Sequence, residues 1–150
     1  MTVKNTEKQA VAVLLTSRLA ENGEKLAALA RAYPEARFET APGAGIRTFG
    51  DVLRHVAFWN HYLAETVRGQ KADGSANELP KAQYGTKALA IRALTESTSD
   101  AVAALRELNG GLDAEKAAHA EGIVEHICEH YGQLAVYARL AGVVPPASRG

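Results

Sequence analysis

The sequence predicts an all-α protein, a four-helix bundle, and three observations carry that expectation. Long stretches rich in Ala, Leu, Glu, Lys and Arg recur along the 150 residues, Gly and Pro cluster between them, and no run reads as a strand. Four amphipathic segments must bury their apolar stripes against one another, which is the condition for an antiparallel bundle. The length suits one domain, residues 1–150, large enough for a real hydrophobic core.

The first helix is expected from about Thr6 to Ala32, with Val13, Leu14, Leu19, Leu26 and Leu29 as core residues, Gly23 as its weak point and Pro34 as its stop. The linker from Tyr33 to Arg47 holds Pro34, Pro42, Gly43 and Gly45. Thr48 followed by Asp51 then reads as a variant capping box, so the second helix starts there. Phe49, Val52, Val56, Trp59, Leu63 and Val67 recur at spacings of three and four, and Gly69 offers a C-terminal stop.

Residues 70–85 have a loop composition, with Asp73-Gly74-Ser75, Pro80 and Gly85. Thr86 can cap a third helix that runs to Leu108 and stops at Asn109-Gly110-Gly111. A loop from Leu112 to His119 leads to a fourth helix from about Ala120 to Ala141, ended by Gly142 with Pro145 and Pro146 beyond; the tail after Ser148 is expected to fray. The long first connection leaves the order of packing around the bundle open.

Composition narrows the function classes. Lys+Arg and Asp+Glu both number 17, so no positive field favours nucleic acid or an anionic membrane. No segment approaches the roughly 20 unbroken apolar residues of a membrane span, and the N-terminal residues lack the pattern of a secretion signal. The single Cys128 rules out an intrachain disulfide and is compatible with the cytoplasm; it is expected to serve packing.

The five histidines are His55, His61, His119, His126 and His130. His126 and His130 lie four apart, hence on one helix face, where two imidazoles can converge on one ion. Their stripe continues through Gln133 and Tyr137. His55 sits between Val52 and Trp59 at the flank of the second helix's apolar face. If the second and fourth helices run parallel, His55 lies seven residues after Thr48 and His126 six after Ala120, which sets the three rings at one height. Three protein nitrogens with a position left over is the layout of a catalytic metal site. A histidine beside an apolar face is more often a hydrogen-bonded boundary residue, so His55 alone carries little. His61 and His119 are expected in solvent.

His126-Ile-Cys-Glu129-His130 also matches the H-x-x-E-H pattern of inverzincin proteases. Such a protease would need a downstream carboxylate ligand, and residues 131–150 contain no Asp or Glu. That reading is set aside.

Arg47-Thr48-Phe49-Gly50-Asp51-Val52-Leu53-Arg54-His55 resembles the second-helix signature of DinB-like proteins. The run from His126 through His130, Gly132, Gln133, Tyr137, Arg139 and Gly142 to Pro145-Pro146 is similar to that family's closing motif. The resemblance implies a four-helix bundle that binds a divalent metal, zinc or nickel first, through His55, His126 and His130, often in a homodimer. It also implies a small-molecule substrate and, for some members, a low-molecular-weight thiol used by an S-transferase or isomerase. Gln133 and Tyr137 are then candidates for contact with the cofactor. The alternatives are a noncatalytic metal-binding or stress-related module and a metal-free bundle.

Overall fold

The computed structural model describes residues 3–109 and 111–149; Gly110, the centre of the expected third-helix stop, lies outside them, as do Met1, Thr2 and Gly150. Four long helices form: α1 (Val3–Ala32), α2 (Phe49–Val67), α4 (Lys87–Glu107) and α5 (Ala114–Leu140), with a single turn, α3 (Lys81–Tyr84), ahead of α4. No strand occurs among the described residues, and no helix is long and apolar enough to cross a membrane.

Ring order and direction follow from which residues meet. Helix α1 packs against α4 and α5, and α2 packs against the same two, so α1 and α2 face each other across the diagonal. The Lys87 ammonium, at the start of α4, donates to the Arg31 and Tyr33 carbonyls at the end of α1, a cation placed on the negative end of a helix dipole. Helices α1 and α4 are therefore antiparallel. Asn60 of α2 reaches Ser97 and Thr98 of α4, and Arg68 past the end of α2 pairs with Asp100 and Glu107 near the end of α4, so α2 and α4 run parallel. Tyr137 near the end of α5 donates to the Arg47 carbonyl just before α2, so α2 and α5 are antiparallel. This corrects the parallel run of the second and fourth long helices considered from sequence.

A parallel α2–α4 pair has a structural consequence. The chain must travel back along the whole of α2, roughly 28 Å at 1.5 Å per residue, before α4 can begin. Residues 68–86 are that crossover, lying along α2 and crossing the functional side chains.

The helix ends follow local chemistry. Thr48 and Asp51 form a full capping box, each side chain accepting from the other's backbone N–H at 3.0 Å. Gly69 and Gly142, at φ of 73° and 78°, close α2 and α5 in the left-handed region. The bonds Gln70 N–H to Glu65 C=O and Val143 N–H to Ala138 C=O complete a Schellman motif at each. Helix α5 begins earlier than expected because the Asp113 carboxylate accepts from the Lys116 N–H and caps it, which draws His119 into the helix. The tail is also tied down, since the Arg149 guanidinium donates to the Val144 carbonyl.

The buried seam of α1 runs through Ala12, Thr16, Leu19, Gly23, Leu26 and Ala30, a repeat of four and three. Val13 and Leu14 fall off that seam and are 61% and 56% exposed, which corrects their assignment to the core; Leu19, Leu26 and Leu29 are fully buried. Gly23 is a close-packing point: a Cβ there would strike the Thr98 side chain of α4. Gly122 and Gly132 inside α5 meet nothing of the kind, and each costs roughly 0.5–1 kcal/mol relative to Ala in a helix.

Arg54 is the one charged side chain of α2 with no exposure at all. Its guanidinium donates to Glu39 at 2.7 and 3.1 Å, to Asp51 at 2.6 Å and to the Tyr84 carbonyl at 3.1 Å. Burial alone would raise the Glu39 and Asp51 carboxyls, but the bonds from Arg54 outweigh it and hold both below their ordinary range. Gly50 makes this contact possible, because a Cβ there would occupy the space of the Glu39 carboxylate and the Phe38 ring.

Removing one partner of a buried ion network leaves the others unpaired. Arg54→Met is therefore expected to lower the unfolding free energy by about 3–5 kcal/mol in urea denaturation, whereas Val13→Ala should stay within about 0.5 kcal/mol. Similar losses for the two would show that the Arg54 network does not support the fold.

Candidate metal centre

His55 is brought to α5 by the α2 core stripe on either side of it. Val52 and Val56 are fully buried, and His55 itself is 8% exposed. His126 and His130 project from α5 on the stripe beside Ile127 and Leu134, both fully buried. Because the Arg47 carbonyl meets Tyr137 and the two helices then run in opposite directions, eight residues along α2 from Arg47 matches about eight back along α5 from Tyr137. That register sets His55 level with the gap between His126 and His130. The equal height expected from sequence is present, reached by antiparallel packing and a different helix start.

The three rings meet at their Nε2 atoms. His126 Nε2 lies 2.9 Å from His55 Nε2 and 3.1 Å from His130 Nε2, and all three ligand atoms fall within 4.8 Å of one another. Two nitrogens bonded to one ion at about 2.0–2.1 Å stand roughly 2.9–3.4 Å apart for ordinary bond angles, so the two spacings from His126 fit a shared ion. Among the described residues this is the cluster of His, Cys, Asp or Glu able to hold a metal.

The opposite edges of the rings say which nitrogen is free. His55 Nδ1–H donates to the Asn77 carbonyl at 2.6 Å, and His130 Nδ1–H donates to Gln133 Oε1 at 2.8 Å. A carbonyl can only accept, so both rings carry their proton on Nδ1 and turn a bare Nε2 toward the centre. Lone pairs packed this closely repel unless a proton or a cation lies between them. His126 Nδ1, on the other side of that ring, is buried with no hydrogen-bond partner. Two bare imidazole nitrogens closing on the Nε2 edge of a third ring fit a divalent cation.

Burial keeps the His55 and His126 rings neutral. It pushes His55 down to about 4, against the Asn77 bond and with help from the Arg47 and His130 charges. It pushes His126 down to about 3, with His130, His55 and Arg47 adding to the effect. Neutral imidazole is the form that binds metal.

Behind these rings lies a supporting shell. Gln133 Nε2 donates to the Tyr137 hydroxyl at 2.9 Å, which donates to the Arg47 carbonyl at 3.2 Å, so His130 is oriented by a chain that ends on the start of α2. Asn77 lies in the crossover at φ 61°, a left-handed conformation that Asn tolerates. It holds His55 with its carbonyl and accepts from the Trp59 indole N–H with its side chain at 3.1 Å. Asn77 was not visible from sequence; it belongs to a loop with no periodicity. Trp59 stands with its ring centroid 6.4 Å from both His55 and His126.

Other sequence expectations resolve differently. Cys128 is exposed on the outer face of α5, so it neither packs nor joins the imidazoles. Glu129 is exposed there too, where it cannot act on an ion held by the histidines. His61 and His119 are half-buried instead of exposed, and His119 Nδ1–H donates to the Glu115 carbonyl within α5.

Fold and site together define a class: a helical bundle with three imidazoles from two helices aimed at one point. The chain matches the DinB superfamily over residues 18–134 and belongs to it. The matched stretch contains all three histidines and Gln133, and it stops before Tyr137. Among curated proteins none matches the chain.

Two outcomes test this geometry. The native pKa values of His55 and His126 lie below the ordinary 6.5, so the unfolded chain binds more protons between the two limits. Stability of the metal-free protein should be full above about pH 6.5 and fall as pH drops toward 4, and a melting-temperature series should show this slope flattened in His126→Leu. Gln133→Leu, which strips His130 of its acceptor, is expected to weaken zinc binding about 10–100-fold in competition with a chromophoric chelator. An unchanged affinity would remove Gln133 from the shell.

Proposed function

We propose that the protein is a metalloprotein that holds one divalent ion, zinc or nickel, on His55, His126 and His130, and that it uses a low-molecular-weight thiol in an S-transferase or isomerase reaction on a small molecule. The observation that supports this reading is the convergence of three Nε2 atoms, those of His55 and His130 bare. Structural zinc sites are closed by four protein ligands, whereas three leave a position for substrate.

A divalent ion on three neutral ligands keeps its full charge and lowers the pKa of a thiol or water that it holds. The chain's own residues supply the rest. Asn77 and Gln133 keep His55 and His130 in the tautomer that offers Nε2, and Tyr137 fixes Gln133 from behind. In this reading Gln133 and Tyr137 serve the cofactor through His130 as positioning residues. Trp59 walls the site on the crossover side and limits access of water there. Arg47, whose charge lies near His55 and His126, favours an anionic occupant such as a thiolate.

Elemental analysis of untagged protein should find about one equivalent of metal in the wild type and little in His126→Ala. Metal-loaded wild type should then transfer a thiol to an electrophile in the presence of a small thiol, and the variant should not. Absence of stoichiometric metal after reconstitution would overturn the metal reading; metal without thiol chemistry would leave a noncatalytic metal-binding module.

A further inference from the structure

We infer that the groove between α2 and α5, one to two turns from the imidazoles, is a binding pocket for the uncharged apolar body of a ligand whose thiol head is held at the metal. The inference rests on the metal reading above and goes beyond it by assigning the ligand's chemical class.

The stripe of α5 that carries His130 and His126 continues toward its N-terminus through Ile123, Gly122 and His119, at spacings of three and four. Facing it, α2 continues from His55 through Trp59 to Tyr62 and Leu63. Trp59, Tyr62, Leu63, His119, Gly122 and Ile123, with Ala118 at the rim, line a cavity of about 350 Å³, at the small end of the range for ligand sites. No Lys, Arg, Asp or Glu lines it. Trp59 belongs to both places, since it walls the cavity and stands edge-on to His55 and His126. The cavity therefore adjoins the histidine cluster across the Trp59 ring. A second cavity of about 280 Å³, between the start of α1 and the end of α4, is lined by Ala12 and Leu105 among others, near the other end of the bundle and away from the histidines.

Gly122 is the residue that opens the groove. It sits inside a long helix, where glycine is unfavourable, and a Cβ built on it meets nothing within 4 Å. No packing contact and no left-handed backbone accounts for it. A larger side chain there would fill the cavity. His119 adds one polar feature: its Nδ1–H is committed to the Glu115 carbonyl, so Nε2 is left with a lone pair that can accept a hydrogen bond. An aromatic ring or short branched chain with at most one donor fits these walls; a charged or peptide-sized body does not.

The test uses cobalt-loaded full-length protein and two thiols of similar acidity, benzyl mercaptan and 2-mercaptoethanol, titrated against the thiolate-to-cobalt absorption. The wild type should bind benzyl mercaptan at least about ten-fold more tightly, the effect of burying a ring. Gly122→Leu should take up cobalt as the wild type does and bring the two affinities within about two-fold; Ala118→Leu, at the cavity rim, serves as an independent filling variant. Equal affinities in the cobalt-loaded wild type, or a preference that survives in both variants, would overturn the pocket alone. Failure of the wild type to take up cobalt would overturn the metal reading and the pocket with it.

Discussion

A guanidinium with no access to water must be neutralised where it lies, and Arg54 imposes that demand on three separate parts of the chain. Glu39 comes from the linker after α1, Asp51 from the first turn of α2 and the Tyr84 carbonyl from the turn before α4. Both connections of the bundle that are too long for a hairpin thus converge on one side chain. Asp51 serves twice, as capping-box partner of Thr48 and as counter-ion of Arg54. Lys81 adds a second cation at Glu39, so two cations face the two carboxylates Glu39 and Asp51. The Arg54 carbonyl in turn accepts from the Leu79 N–H, which pins the crossover two residues past Asn77. The next residue in sequence is His55, so the geometry of the first imidazole of the cluster inherits the geometry of this buried charge.

The bundle's helix content was legible because it depends on local signals. Thr48, Thr86, Gly69 and Gly142 mark boundaries by chemistry that acts within one turn. The errors came from longer range. Val13 and Leu14 look like core because they are apolar, but the α1 seam is set by what α4 and α5 can receive, and Ala12 and Thr16 occupy it instead. Direction was not legible either: nothing in the sequence between 68 and 86 says that it spans the length of a helix, and only the partners of Asn60 and Arg68 show that α2 and α4 are parallel.

The three histidines were legible because an i, i+4 pair and a flank position are facts of helical geometry, independent of how the helices are connected. Gln133 and Tyr137 were also found on the histidine stripe, although their hydrogen bonds to His130 and Arg47 required the packed structure. Asn77 and the burial of Arg54 were out of reach, since both arise where a loop is folded back on a helix. Reading the first turn of α2 as a run of contacts shows why: Gly50 has meaning only once Glu39 is beside it.

The chain contains a single tryptophan, and the fold has put it at the junction of crossover, histidine cluster and cavity. Its indole N–H is bonded to the same asparagine that orients His55, and its ring lies edge-on to two of the imidazoles. Emission from the protein therefore originates at one known point and responds to whatever happens there. Quenching by a paramagnetic ion, a spectral shift on release of Asn77, and protection from an aqueous quencher when the groove is filled are separable signals from one unmodified fluorophore. The molecule carries an optical probe at the place where its chemistry is expected, with no label to perturb it.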